Sequence, residues 1–163
     1  VGRSLVEDDK LAEALRIIEA AQTRGVALPL PVDHVVADRL DAAATTAVLQ
    51  VSDHELGDRM GLDIGPETIA LYTSIIQTAR TVVWNGPMGV FEMAPFAAGT
   101  MAVAHAVAAV QGTTIIGGGD SVAAVHAAGV ADRVSHISTG GGASLEFLGG
   151  AELPGVSALP DKA

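Results

Sequence analysis

No cysteine occurs in the 163 residues, which excludes a disulfide framework and any thiolate metal site and leaves the chain compatible with a reducing compartment. Aromatic residues are scarce at 3%, while hydrophobic residues reach 49%. A core so poor in rings has to be built from Val, Ile, Leu and Ala, the filling of a parallel sheet covered by helices on both faces. Positive charge is the other shortage: 9 Lys and Arg against 19 Asp and Glu leave a formal net charge of −10. Such a surface lacks the basic face that nucleic-acid backbones require, so no nucleic-acid partner is expected. The longest apolar segments are broken by Gly, Asp or His well short of a membrane span, and no basic stretch precedes an apolar one at the N-terminus. A soluble, cytoplasmic, one-domain chain with a sizeable core and no membrane partner is therefore expected.

Several motifs are also missing. There is no G-x-x-x-x-G-K-[ST] phosphate loop. The dinucleotide fingerprint fails because its third glycine would be Val122 counted from Gly117, or Leu145 counted from Gly140. A nucleophile elbow on Ser144 fails at Glu146, and no H-E-x-x-H occurs.

What is present is organised around Thr113 to Gly129, TTIIGGGDSVAAVHAAG. A β-branched run suited to an internal strand leads into three glycines, then Asp120 and Ser121 open an Ala/Val-rich helix ending at Gly129. At such a helix start the free backbone N–H groups and the positive end of the dipole favour an anion, and Asp120 could hold its divalent counter-ion. A glycine turn with an Asp cap is also ordinary α/β architecture. Repetition favours binding: WNGPMGVFE follows the strand Thr81 to Val83, and STGGGASLE follows the strand Val134 to Ile137, whose extended run is expected to reach Thr139. In an open parallel sheet such turns lie together at the carboxyl edge.

Along the chain, Ser4-Leu5-Val6-Glu7 reads as a capping box for a helix whose face is Leu11, Leu15 and Ile18, stopped by Gly25. Val26 to Val32 reads as a strand broken by Pro29 and Pro31. Asp33, His34 and Asp38 invite a metal reading but share no set spacing. Val35 to Ala37 and Ala47 to Val51 are expected as short strands. Gly65-Pro66-Glu67 starts a helix running to about Ala79, and Phe96 to Val110 is an Ala-rich crossover helix. Trp84 is expected to pack beside its turn. Glu92, just past a glycine turn, can accept hydrogen bonds from ribose hydroxyls or be a solvated or capping residue. His105 and His126, in separate helices among alanines, are expected to be packed or exposed rather than catalytic. Leu153 to Ala163 has no period and reads as an extended arm.

Through VVWNGPMGVFE (82–92), GGGDS (117–121) and SHISTGGGASLEFL (135–148), with VGRSLVE, LPVD, VVAD and MGLDIGPET in support, the chain resembles the carboxy-terminal nucleotide-binding domain of the phosphoglycerate kinase family. The resemblance covers residues 1–163 in the family's order and implies a Rossmann-like α/β fold, three layers α/β/α on a mainly parallel sheet, incomplete on its N-terminal side. It implies reversible phosphoryl transfer between 1,3-bisphosphoglycerate and ADP, giving 3-phosphoglycerate and ATP, with Mg2+ accompanying the nucleotide. The complete enzyme is expected to be a monomer. Carried over, Gly61, Leu62 and Val90 line the adenine site, Glu92 holds the ribose hydroxyls and Asn85 lies near the phosphates. Gly118 and Gly119 present N–H groups to the phosphates, Asp120 coordinates magnesium and Ser121 binds phosphate oxygens. Gly140 to Gly142, with Gly141 at the centre, would help receive the transferring group.

The resemblance also places a catalytic arginine and glycerate-binding basic residues in an amino-terminal domain, and phosphate-binding lysines upstream of Val1. Accordingly the chain has only Lys10 and Lys162, and no Arg lies in its three glycine turns. Phosphoryl transfer needs such cations. The chain is thus expected to supply the Mg-nucleotide side alone, either as an inactive portion of the enzyme or as a binding module without turnover.

Overall fold

The computed structural model describes residues 2–53, 56–138 and 140–160. From the N-terminus the elements are α1 (Leu11–Thr23), β1 (Asp33–Ala37), β2 (Ala47–Gln50), β3 (Met60–Ile64), α2 (Pro66–Thr78), β4 (Thr81–Asn85), α3 (Ala98–Ala108), β5 (Thr113–Gly117), α4 (Gly119–Ala127), β6 (His136–Ile137), α5 (Gly141–Leu148) and α6 (Pro154–Ser157). The β-branched runs of β4 and β5 pair in parallel, Thr81 opposite Thr113 through Asn85 opposite Gly117. The short β6 completes the sheet on the far side of β5, again in parallel.

One face of that sheet is closed by α3 and α4. Trp84 and Ile116 meet Val103, Val107, Ala124 and Val125 there in a core with almost no exposed surface. Val83 and Ile115 point to the other face, which they share with Ala143, Phe147 and Leu148 of α5. Strand alternation thus builds the expected three layers, with Val, Ile and Ala replacing rings.

A second sheet, β2-β1-β3, is antiparallel throughout. Its strand β3 lies outside the sequence expectations, because Gly61 and Asp63 interrupt the apolar run. The helix start at Gly65-Pro66 is found as expected, but its cap comes from a distance. Asp33 in β1 accepts hydrogen bonds from the Glu67 and Thr68 amides at 2.9 and 2.8 Å. Burial alone pushes this carboxyl upward, but the Thr68 hydroxyl and those amides outweigh it and hold it below the usual aspartate value.

Four expectations change. Ser4 caps no helix, for its Oγ accepts the Gly61 amide at 2.9 Å, and α1 follows a 3-10 turn over Asp8–Lys10 without a side-chain cap. Val26 to Val32 is irregular rather than a strand: the Pro29 carbonyl is bound by the Tyr72 hydroxyl, and the Val32 amide by Thr68 Oγ1. The apolar face of α1 is open, with Leu11 and Leu15 exposed by 53% and 62%. The tail is not wholly extended, since Pro154–Ser157 make one helical turn with proline at its start. The expected strand end at Thr139 and the last residues of the arm, 161–163, lie outside the described residues.

Candidate functional site

With Asn85 opposite Gly117 and Ile116 opposite Ile137, the turns leaving β4, β5 and β6 depart from one edge of the parallel sheet. They differ in what their amides do. In the first turn, residues 86–90, every donor is committed inward: the Gly86 N–H to Ser121 Oγ at 2.6 Å, Met88 and Gly89 to Thr100 Oγ1 at 3.0 and 3.2 Å, and Val90 to the Leu62 carbonyl at 2.9 Å. Pro87 has no N–H. The Trp84 indole donates to the Gly86 carbonyl at 2.7 Å. This turn is a wall, with no amide left for an anion.

The second turn is the opposite case. Gly118 takes φ 84° and ψ 137°, a conformation reserved to glycine, and α4 begins at Gly119 with no side-chain cap. Among the described residues nothing accepts a hydrogen bond from the amides of Gly118, Gly119 or Asp120. They stand at the positive end of the helix, the arrangement that receives an anion. Asn85 closes one side, its Oδ1 only 3.1 Å from where a Cβ on Gly118 would lie. Asp120 is exposed and carries no ion pair or side-chain hydrogen bond among the described residues.

Ser121 is fully buried, so its oxygen clasps the first turn to the second from beneath. In the third turn Gly140 donates to Ser138 Oγ at 3.3 Å, and Ser138 and Ser144 share a hydrogen bond of 2.7 Å. Gly141 and Gly142 are the first residues of α5.

Gly61, Leu62 and Val90 line a single cavity of about 710 Å³ together with His34, Asp63 and Met88. Asn85, Glu92 and the Gly118 turn are outside it. Glu92 is exposed just beyond Val90, with no hydrogen bond or ion pair among the described residues. The Asp33, His34 and Asp38 grouping comes to nothing as a metal site, since Asp33 caps α2 and Asp38 pairs with Arg39. No group of three or more His, Cys, Asp or Glu among the described residues could hold an ion by itself.

Two residues at the site escaped sequence reasoning. Asp63 is buried between β3 and α3, its Oδ2 accepting the Gly99 amide at 2.8 Å and its Oδ1 the Ile64 amide at 2.9 Å. Burial raises its pKa above the ordinary value, and those two amides only partly oppose the rise. Thr100 has no exposed surface at all. The one signal for either was a charged residue inside an apolar strand and a hydroxyl at a helix start.

The sequence profile described as Phosphoglycerate kinase matches residues 1–151. The chain belongs to the phosphoglycerate kinase family. It is 60% identical over 162 residues to a phosphoglycerate kinase of Herpetosiphon aurantiacus and 57% identical over 162 residues to that of Clostridium novyi. Each match takes in 99% of this chain but only 41% and 40% of the relative. The solved phosphoglycerate kinase of Coxiella burnetii superposes with a TM-score of 0.91 at 43% identity, over 96% of this chain and 40% of that one. That of Pyrococcus horikoshii gives 0.78 at 36% identity, over 93% of this chain and 36% of that one. The chain therefore spans about two fifths of these phosphoglycerate kinases, and the likeness includes the Rossmann-like architecture of the parallel sheet. No helix among the described residues is long and apolar enough to cross a membrane.

Proposed function

We propose that this chain forms the nucleotide side of a phosphoglycerate kinase, which moves a phosphoryl group reversibly between 1,3-bisphosphoglycerate and ADP to give 3-phosphoglycerate and ATP. The observation that carries the reading is the contrast between neighbouring turns: the amides of Gly118, Gly119 and Asp120 are free, while those of residues 86–90 are all committed. Phosphates go to the free amides, beside Asn85. The adenine goes to the wall made by Gly61, Leu62 and Val90, and Glu92 takes the ribose hydroxyls. Ser121 acts from beneath the cradle by fixing the two turns together. Gly141 stands at the start of α5, where its amide would face the transferring group with Gly118 and Gly119.

Asp120 suits Mg2+ delivered with the nucleotide. Its carboxylate is exposed next to the phosphate cradle, and a Mg2+ ion held by one carboxylate and substrate phosphates needs no dedicated protein cage. The ion would supply charge neutralisation on the phosphates. With no Arg or Lys in the three turns, the cations for phosphoryl transfer have to come from a further part of the enzyme, and this chain alone binds without turnover. We place the enzyme in the cytoplasm as a monomer.

Calorimetric titration with ADP tests this. Binding is expected in the presence of Mg2+, and Asp120→Asn is expected to weaken it about tenfold or more while removing most of its Mg2+ dependence. A folded sample that takes up no ADP, or an Asp120→Asn protein with unchanged Mg2+ dependence, contradicts the reading.

A further inference from the structure

We propose that Thr100 and Asp63 are positioning residues that set nucleotide affinity by holding the 86–90 turn in place between β3, α3 and α4. The proposal rests on the reading of Leu62, Val90 and Asn85 as nucleotide contacts.

The geometry is a closed circuit. Asp63, at the end of β3, fixes the first turn of α3 by accepting the Gly99 amide. The next residue, Thr100, fixes the 86–90 turn to α3 by accepting both the Met88 and the Gly89 amides. The Val90 amide then returns the turn to β3 through the Leu62 carbonyl. Gly89 is pressed into this circuit so closely that a Cβ there would come within 2.6 Å of both the Leu62 carbonyl oxygen and Asp63 Cγ. Only a residue without a side chain lets the turn reach that depth.

The position matters because the two ends of the turn belong to different parts of the nucleotide. Val90 lies at the base end, while Asn85, immediately before the turn, flanks Gly117 and Gly118 at the phosphate end. A turn that loosens changes both at once. Asp63 and Thr100 need not touch nucleotide for this effect, which travels through amides they alone satisfy.

The buried hydroxyl can be tested with little change of shape. Thr100→Val keeps the volume and removes the acceptor, leaving two half-buried amides without their partner, whereas Thr100→Ser keeps the oxygen. Thr114→Val is the control for general loosening, because Thr114 is equally buried and its Oγ1 accepts the Ser135 amide at 2.9 Å, in the same sheet but away from the turn. Trp84 reports on the turn directly through its bond to the Gly86 carbonyl. With Mg-ADP as the probe and each protein held well below its unfolding temperature, Thr100→Val is expected to bind about tenfold more weakly, with the Trp84 emission shifted to the red, while Thr100→Ser and Thr114→Val stay within about twofold of the unchanged chain.

Equal affinity for Thr100→Val, or an equal loss in Thr114→Val, overturns the proposal. Should Thr100→Val not fold, amide exchange in the unchanged chain decides instead: by reciprocity of coupling, Mg-ADP has to slow exchange at Met88 and Gly89 by about the same tenfold factor. Exchange there that ignores Mg-ADP overturns the proposal as well. An unchanged chain that binds no Mg-ADP fails at the earlier step, the nucleotide reading itself.

Discussion

Asp33 reaches from β1 across 34 positions of sequence to cap α2, with both carboxylate oxygens occupied by donors. Replacing it by Asn presents an amide group to one of those donors, and a loss of about 1–3 kcal/mol is expected in urea unfolding at neutral pH. The sign with pH follows from its lowered pKa: the stabilisation is complete above the usual 3.8 and is lost as pH falls through the lower folded value. The gap between the two proteins should therefore close only below pH 3.8, and a gap that does not vary with pH would contradict the charge argument. Asp63 has the opposite sign, since a raised pKa makes its ionised form a cost that grows as pH rises through the folded value. At this scale the places of Asp120 and Glu92, exposed carboxylates beside glycine turns, were legible in the sequence. Asp63 and Thr100 were not. Their partners lie 36 and 11 or 12 residues away, and only the packing of α3 on β3 brings them together.

Among elements, the turn from β5 into α4 depends on one conformation, φ 84° at Gly118. A side chain there is strained by about 1–3 kcal/mol and would crowd Asn85 at 3.1 Å. Gly118→Ala is accordingly expected to cut ADP affinity by about tenfold or more. Calorimetry that finds ADP affinity unaltered would mean that this turn is not the cradle. The strand–glycine–helix pattern made this unit legible in the sequence, and proline at the first position of α2 did the same for that helix. The segment 26–32 misled because alternating apolar residues resemble a strand, while its backbone groups find Tyr72 and Thr68 instead of a ladder. The apparent capping box at Ser4 misled for a related reason: its hydroxyl is equally able to serve a distant strand, and Gly61 claims it.

Taken whole, the molecule leaves much apolar surface open. Leu11, Leu15 and Ile17 on α1, Val83 on the outer strand β4, and Phe147 and Leu148 on α5 are all at least 40% exposed. A chain presenting such faces is expected to self-associate as concentration rises, and sedimentation that finds a monomer at every concentration would contradict that expectation. The parallel sheet and its layers were legible because buried β-branched strands and Ala-rich helices alternate along the sequence. The antiparallel sheet was not, since register and strand direction in β1, β2 and β3 depend on pairings that no local pattern states. What the whole arrangement supports for function is narrower than its three glycine turns suggest: one turn leaves its amides free, while another commits all of its amides inward and stands as a wall beside it. The most direct test is amide chemical-shift mapping of the chain with and without Mg-ADP. The account predicts that the largest changes fall on Gly118, Gly119 and Asp120, with smaller ones at Gly86, Met88 and Gly89. Largest changes on residues 86–89, or none at the Gly118 turn in a sample that binds, would contradict it.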